Sequence, residues 1–459
     1  MTDVRLDRRA DWMIARSVAT HSLVLKTVGG ARAGELSVNR FLAHPDIDPA
    51  AILAPAVART ADAAKGLRVV VAQDTTEVNF AGRARRRRDL GPGGDGVSPG
   101  FFIHPLIVID AASEATIGIA GAEIWTRATG KVEDRRTRTI DDKESRRWGD
   151  GAMTAANVLA GAAQRIVVGD RESDIFSVFA ARPATVDLIV RAAQDRALAD
   201  GGSLKAAAAD WRELATVVVM VAARRAGAKG GPQAARVARV AMRAGTVTVL
   251  RPKGRKAHDG ELDSVTLGLV VASEIDAPAD VEPLLWRLLT TLPIATAAQA
   301  QDVVRLYRLR WRIEEMFRTL KKDGLDLEAS QVTEAGRLFN LAAIGLIASV
   351  RIMQLVDARD GSVRPATDVI AVEQIAAVAA IGAELEGATA RQQNPWDQGS
   401  MAWLSWVVAR LGGWNCYYRS PGPKTMANGW RRLSDRLQGF ASAERRHLEN
   451  ALIAAVGGR

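Results

Sequence analysis

Residues 307–321 read Y-R-L-R-W-R-I-E-E-M-F-R-T-L-K, and the spacing within them sets the reading of the whole chain. Leu306, Leu309, Ile313, Met316, Phe317 and Leu320 recur at helical intervals and predict an apolar face. Tyr307, Arg310, Glu314 and Lys321 follow at offsets of three, four and seven. At about 100° per residue on one continuous helix, these four stay within about 60° of one another. Two readings of this polar column stand side by side. One is the solvated charged face of an amphipathic helix, decorated with ordinary Glu–Arg pairs. The other is an acidic metal-binding residue flanked by phosphate binders.

The composition narrows the choice. A chain of 459 residues, 48% hydrophobic and 25% charged, has room for two or three domains and a large core. Its net charge of +10 favours a polyanionic partner, nucleic acid before an anionic membrane surface. One cysteine, Cys416, excludes an intrachain disulfide and a cysteine metal cluster. The five histidines lack zinc-like spacing. The longest apolar run, 341–350, ends at Arg351, well short of a membrane span. With no signal-peptide layout, the expected location is the cytoplasm, without a membrane role.

Upstream, two aspartates follow apolar runs. Residues 67–71 predict a buried strand ending at Asp74 in D-T-T, and 166–168 predict a second ending at Asp170 in G-D-R-E-S-D. Ligands of α/β sheets gather at such strand ends. Asp74 as a turn former remains open. Asp174 is read as a cap or first-turn acid of the next helix, with Asp174 or Glu172 as the rival ligand to Asp170. Further strands are expected at 101–110, 115–125 and 186–190, the last ending in Arg191, and a helix at 152–163. Runs at 216–222, 237–242, 246–250 and 265–271 alternate like strands. Near the N-terminus, one helix is expected to end at Gly29-Gly30, a segment begins at 40–42, and another helix covers 51–64. A further helix is expected over 338–356. Arg83, Arg85–Arg88 and the Gly/Pro-rich 91–100 read as a solvated loop, or as a DNA contact beside an active site.

The pattern Y-x2-R-x3-E-x6-K, with R-W-R-I-E-E inside it, resembles the Y-R-E-K signature of bacterial DDE transposases of the insertion-sequence-four family. D-T-T at Asp74 and D-R-E-S-D at Asp170 resemble that family's two aspartate elements. K-E-S at 143–145 with Trp148, and P-L-L-W at 283–286, are similar to elements of its transposon-five-like members. R-F-L-A-H-P-D-I-D-P-A-A-I from Arg40 resembles the family's end-binding domain, where Arg8, Arg9, Arg16, Arg32 and Arg40 are phosphate-contact candidates or solvated residues. A G-D-x-R-type stretch usual in that region is not found.

The resemblance implies an α/β fold with a ribonuclease-H-like catalytic core (a mixed sheet with helices). It implies a helical N-terminal DNA-binding domain at 1–65, the core at 66–191 and 284–335, and a β-rich insertion at 192–283. A helical region at 336–459 would mediate dimer contacts around Trp430, Leu433, Leu437 and Phe440, or would simply pack. Asp74, Asp170 and Glu314 would be the catalytic, metal-holding acids, and Tyr307, Arg310, Lys321, Trp286 and Arg191 would contact DNA. Trp286 would stack on a displaced base, or belong to the core. The cofactor would be Mg²⁺, two ions per site, with Mn²⁺ substituting. Hard cations take carboxylate oxygens, and paired ions neutralise charge on the attacking and leaving oxygens of a phosphodiester. The implied route is cut-and-paste transposition by a homodimer on terminal repeats and target DNA, through a hairpin end. Two other functions stay open: a non-catalytic DNA-binding regulator or decayed copy, and a nuclease of the same fold acting on branched DNA.

Overall fold

The structure, a computed structural model, describes residues 4–80, 87–128, 144–221, 234–253, 262–279, 281–321, 324–362, 364–417, 420–437 and 439–440. Helices α1 (Val4–Thr20), α2 (Leu25–Gly29), α3 (Arg32–Leu42) and α4 (Pro49–Ala63) come first. Strands β1 (Arg68–Gln73), β2 (Thr76–Asn79), β3 (Gly100–Asp110) and β4 (Thr116–Trp125) follow. Next are α5 (Arg147–Val158), β5 (Gln164–Gly169), α6 (Phe176–Ala180) and β6 (Asp187–Arg191). Strands β7 (Ala215–Val221), β8 (Arg236–Leu250), β9 (Ser264–Ile275) and β10 (Leu285–Thr290) precede α7 (Ala297–Arg308) and α8 (Trp311–Leu320). Helices α9 (Ala335–Asp357), α10 (Ile375–Leu385) and α11 (Met401–Leu411) lead to a last helical stretch at 423–437. The mixture of helices and strands is that of an α/β protein with a ribonuclease-H-like core.

Two compact units divide the chain. The first comprises Met1–Ala63, Thr75–Val132 and Arg312–Arg459. Its centre is α9, which is apolar on nearly every side and therefore has to be enclosed. An 18-residue window of it is apolar enough to cross a membrane, but 83% of that window is buried inside the protein. Helices α1, α3, α4 and α11 and strand β4 pack against it. Within the same unit β3 pairs antiparallel with β2 and β4. Helix α4 sits close on β4: Thr60 Oγ1 accepts from the Ile119 amide at 3.0 Å, and a Cβ at Gly118 would meet that hydroxyl at 2.1 Å.

The second unit comprises Ala64–Asp74 and Glu133–Trp311. Its sheet runs in the order β1-β5-β6-β10-β9-β8-β7. Strands β1, β5 and β6 are parallel, and the rest join antiparallel. The parallel strands are buried runs of Val and Ile, as strands covered on both faces require. The region 192–283 supplies β7, β8 and β9, and β9 pairs directly with β10.

Several expected elements differ in detail. The run 307–321 is two helices, broken at Leu309 and Arg310, whose amides bond back three residues to Leu306 and Tyr307. The N-terminal helix is likewise two, separated at His21, which adopts φ 50°. Arg40–Leu42 close α3 instead of opening a segment. The runs 237–242 and 246–250 are one strand, because Arg243, Ala244 and Gly245 keep pairing with β9. Helix α5 starts earlier and ends earlier than the 152–163 expected. The short strand β2 was not foreseen, so Asp170 follows the fifth strand, not the fourth. Arg87 is not a solvated loop residue: it donates to the Ser330 and Val332 carbonyls and stacks 4.0 Å over Phe80. Arg83, Arg85 and Arg86 lie outside the described residues, as does Lys143 of K-E-S.

Candidate active site

The second unit builds a cluster at the carboxyl ends of its parallel strands. Strand β1 aligns with β5 so that Ala72 faces Val168. Two residues further on, at the same level, stand Asp74 and Asp170. Strand β5 aligns with β6 so that Gly169 faces Val190, which puts Asp170 level with Arg191. Neighbouring strands lie about 4.8 Å apart, so the register alone places the two acids and Arg191 in one row. Gly169 is required there, since a Cβ would meet Ser173 Oγ at 2.2 Å.

Asp170 is half-exposed and its Oδ1 accepts from the Glu172 amide at 2.8 Å, shaping the turn that follows. Among the described residues, no donor reaches its Oδ2. Burial, and secondarily the Asp170 charge, push the Glu172 carboxyl up. Asp74 is 16% exposed, and Arg310 Nη1 donates to its Oδ2 at 3.0 Å. The break between α7 and α8 places Arg310 at this strand end, where an ion pair rewards the lost helical turn. A straight helix would have carried Arg310 on in the polar column instead.

Tyr307, at the end of α7, is 2% exposed. Burial pushes its phenol up, while the Arg310 and Arg191 guanidiniums against it pull the other way. Burial lowers Arg191, Tyr307 offsets this, and Arg171 and Arg310 add like charge. Arg191 Nη2 also donates to the Leu285 carbonyl at 3.2 Å. Trp286, half-buried on β10, meets the Tyr307 ring edge-on with centroids 5.9 Å apart. Asp74, Asp170, Arg191, Trp286, Tyr307 and Arg310 therefore gather in one unit. Trp148 packs underneath, 4% exposed, and its carbonyl accepts from Gln73 Nε2 at 3.2 Å.

Asp174 does not start a helix. The cap position of α6 is Ile175, which makes no side-chain cap. Asp174 is sequestered with Arg196, which donates to Oδ1 at 2.9 Å and 2.5 Å, while the Ala193 and Gln194 amides take Oδ2 at 2.7 and 2.8 Å. Arg196 carried no visible signal in the sequence, because its partner lies more than twenty residues upstream.

Glu314 and Lys321 belong to the first unit. Glu314 lies in the first turn of α8 and is half-exposed, and Lys321 directly follows that helix. Phe317 is half-buried, while Ile313, Met316 and Leu320 form the buried stripe. Of the N-terminal arginines, Arg16 is held by the Val28 carbonyl at 3.3 Å and Arg32 by Glu35 at 3.0 Å, while Arg8 and Arg40 are exposed. At the C-terminal end Trp430 and Leu433 are buried, and Phe440 is 47% exposed.

Among the described residues no three His, Cys, Asp or Glu side chains form a metal cage. The in-register pair Asp74 and Asp170 nonetheless suits a hard cation such as Mg²⁺, which takes one or two protein carboxylates and fills its other positions with water and substrate oxygens.

Residues 178–351 match the family model of the transposase DDE domain. The match covers less than half of the chain. It includes Arg191, Trp286, Tyr307, Arg310, Glu314 and Lys321, and begins after Asp74 and Asp170. It supports a DDE transposase, a nucleic-acid-processing enzyme with DNA as its partner. Such enzymes generally use divalent metal ions.

Proposed function

We propose that this protein is a cut-and-paste DDE transposase of the insertion-sequence-four family, with Asp74, Asp170 and Glu314 as its catalytic acids. The observation that carries the reading is the row of Asp74, Asp170 and Arg191 at the ends of adjacent parallel strands, with Tyr307 of α7 beside it and Arg310 brought to Asp74 by the break that follows α7. Phosphodiester cleavage needs an in-line nucleophile and neutralised charge, and little covalent help from protein. Bound Mg²⁺ or Mn²⁺ would supply that neutralisation and a nucleophilic water, with Asp74 and Asp170 as carboxylates able to hold such an ion.

The chain's own side chains do the rest. Arg310 grips a phosphate as a planar fork, Lys321 acts as a point charge and Arg191 adds a third cation. Tyr307 is a protonated phenol at neutral pH, a form that burial further favours, and its hydroxyl is the group that would donate to a phosphate oxygen. Trp286 presents a half-buried ring next to it, and stacking suits any displaced base. In this reading water nicks one strand, the freed 3′-hydroxyl attacks the other to form a hairpin, and the reopened end joins target DNA. The enzyme acts as a cytoplasmic homodimer holding two terminal repeats. Residues 1–65 bind the ends, 66–191 with 284–335 form the catalytic core, 192–283 the insertion, and 336–459 the dimer region.

The test is cleavage of labelled DNA carrying the element's own terminal repeats, with Mg²⁺ or Mn²⁺, for wild type and Glu314→Ala. Hairpin-ended and joined products that vanish in the variant are expected. Binding without cleavage under both metals would sink the catalytic reading and leave a DNA-binding regulator.

A further inference from the structure

Glu314 sits on a helix of only ten residues, and a short helix gets its orientation from what it packs on. In the first unit two contacts tie it to α9. Asp357, the last residue of α9, is 4% exposed on its side chain, and its Oδ1 lies 2.8 Å from Arg312 Nη1. Its Oδ2 accepts from the Thr116 amide at 3.0 Å and the Thr116 hydroxyl at 2.7 Å. Arg312, two residues before Glu314, also reaches Glu315 Oε2 at 3.2 Å and the Glu114 carbonyl at 3.4 Å.

The far end of α8 is fixed differently. Leu320 is fully buried, and a Cβ at Gly345 would come within 2.7 Å of its Cδ1. Residues 312 and 320 thus meet 357 and 345, so the two helices run antiparallel with both ends of α8 pinned. One pin is apolar and the other is an ion pair.

The ion pair is a poor source of stability. Burial pushes the Asp357 carboxyl up against the pull of Arg312 and Thr116, and Glu315 pushes it further. Replacing both members of such a pair by apolar groups is often neutral, whereas removing one member leaves the other unmatched and destabilises. What this one does provide is direction: a guanidinium held by a carboxylate and a carbonyl has little freedom to roll.

We propose that Asp357 is a positioning residue of the transposition reaction, holding Arg312 so that α8 directs the Glu314 carboxylate. This rests on Glu314 being a catalytic acid. Groups that orient metal-holding carboxylates typically matter by about 10–100-fold in metal affinity or activity.

The experiment compares full-length wild type with Asp357→Asn, Arg312→Lys, Arg312→Gln and Glu314→Gln. Asparagine keeps the shape of Asp357 and an oxygen for Thr116 while removing the charge, and Arg312→Lys keeps the opposite charge. Four quantities are measured: Tm, binding to terminal-repeat DNA, calorimetric Mn²⁺ binding, and kcat for cleavage. For Asp357→Asn and Arg312→Gln, Tm should fall, because each leaves one member of the pair unmatched, while binding to terminal-repeat DNA holds and Mn²⁺ affinity and kcat each fall about 10–100-fold. Arg312→Lys should recover part of both. The proposal is overturned if Asp357→Asn binds Mn²⁺ and cleaves like wild type. It is equally overturned if DNA binding falls in step with activity, or if Asp357→Asn fails to fold and Arg312→Gln cleaves normally. Full cleavage by Glu314→Gln would instead remove the catalytic reading itself.

Discussion

Asp170 and Asp174 stand four residues apart and carry the same carboxylate, but the fold treats them in opposite ways. Asp174 is enclosed, with Arg196 and two backbone amides on its oxygens. Asp170 is half-exposed at the end of a parallel strand and uses one oxygen for the local turn. A carboxylate already saturated by protein donors has nothing left for a cation, whereas one with an open oxygen at a strand end does. The lesson is that the coordination capacity of an acid is set by the donors around it, not by its neighbours in sequence.

The sharpest way to break this comparison is to remove each acid in turn. In the proposed function, Asp170→Ala and Asp74→Ala should each lower DNA cleavage by about 10²–10³-fold, the scale of losing a preorganised electrostatic group. The Tm of Asp170→Ala should stay close to wild type, which thermal unfolding beside a cleavage assay checks, whereas Asp74→Ala leaves the buried Arg310 without its carboxylate and should also lose stability. Asp174→Ala should do the reverse. It strands Arg196 without its carboxylate and should cost about 3–5 kcal/mol in stability, read from urea unfolding. A Tm for Asp170→Ala as low as that of Asp174→Ala would erase the distinction.

Two tryptophans extend the same contrast. Trp148→Ala removes a buried ring beneath the strand ends and should cost about 3–5 kcal/mol in stability. Trp286→Ala removes a half-buried ring beside Tyr307 and should leave Tm nearly unchanged. In the proposed function it should weaken binding of DNA with an unpaired base by about 1–3 kcal/mol, measurable by titration.

The smallest effect concerns acid. Asp357 titrates above its ordinary value in the fold. Its protonated form therefore favours folding below the ordinary aspartate range near about 3.9, and that contribution is lost as pH rises through the raised value. Asp357→Asn lacks this group, so its stability should fall less than that of wild type as pH rises from about 3.9. Parallel unfolding curves for the two proteins across this window would contradict the burial argument.

Most of the strands were legible in the sequence, because buried β runs of Val and Ile bounded by turns have few alternatives. The strands β1, β3, β4, β5, β6 and β7 begin and end close to where their patterns predict, and β9 begins where expected but runs on to Ile275. The helical pattern of 307–321 was legible too, but not its break. Periodicity reports the apolar face, and Leu306, Leu309, Ile313 and Leu320 are indeed buried on both sides of the turn. The bend is set by Arg310 meeting Asp74, a contact between residues far apart in the chain. Strand β2 was missed because four residues of mixed polarity, T-E-V-N, carry too little pattern.

The sequence by itself determined an α/β chain rich in positive charge, with acids after two apolar strands and a spaced Y-R-E-K pattern. These are local properties, written in hydrophobic period and residue type. Only the tertiary structure decided that Asp74, Asp170 and Arg191 share one level of the sheet, that Asp174 is locked by Arg196, and that Arg312 is held by Asp357. Register, ion pairing and burial of charge depend on which distant segments pack together, and no local pattern encodes that.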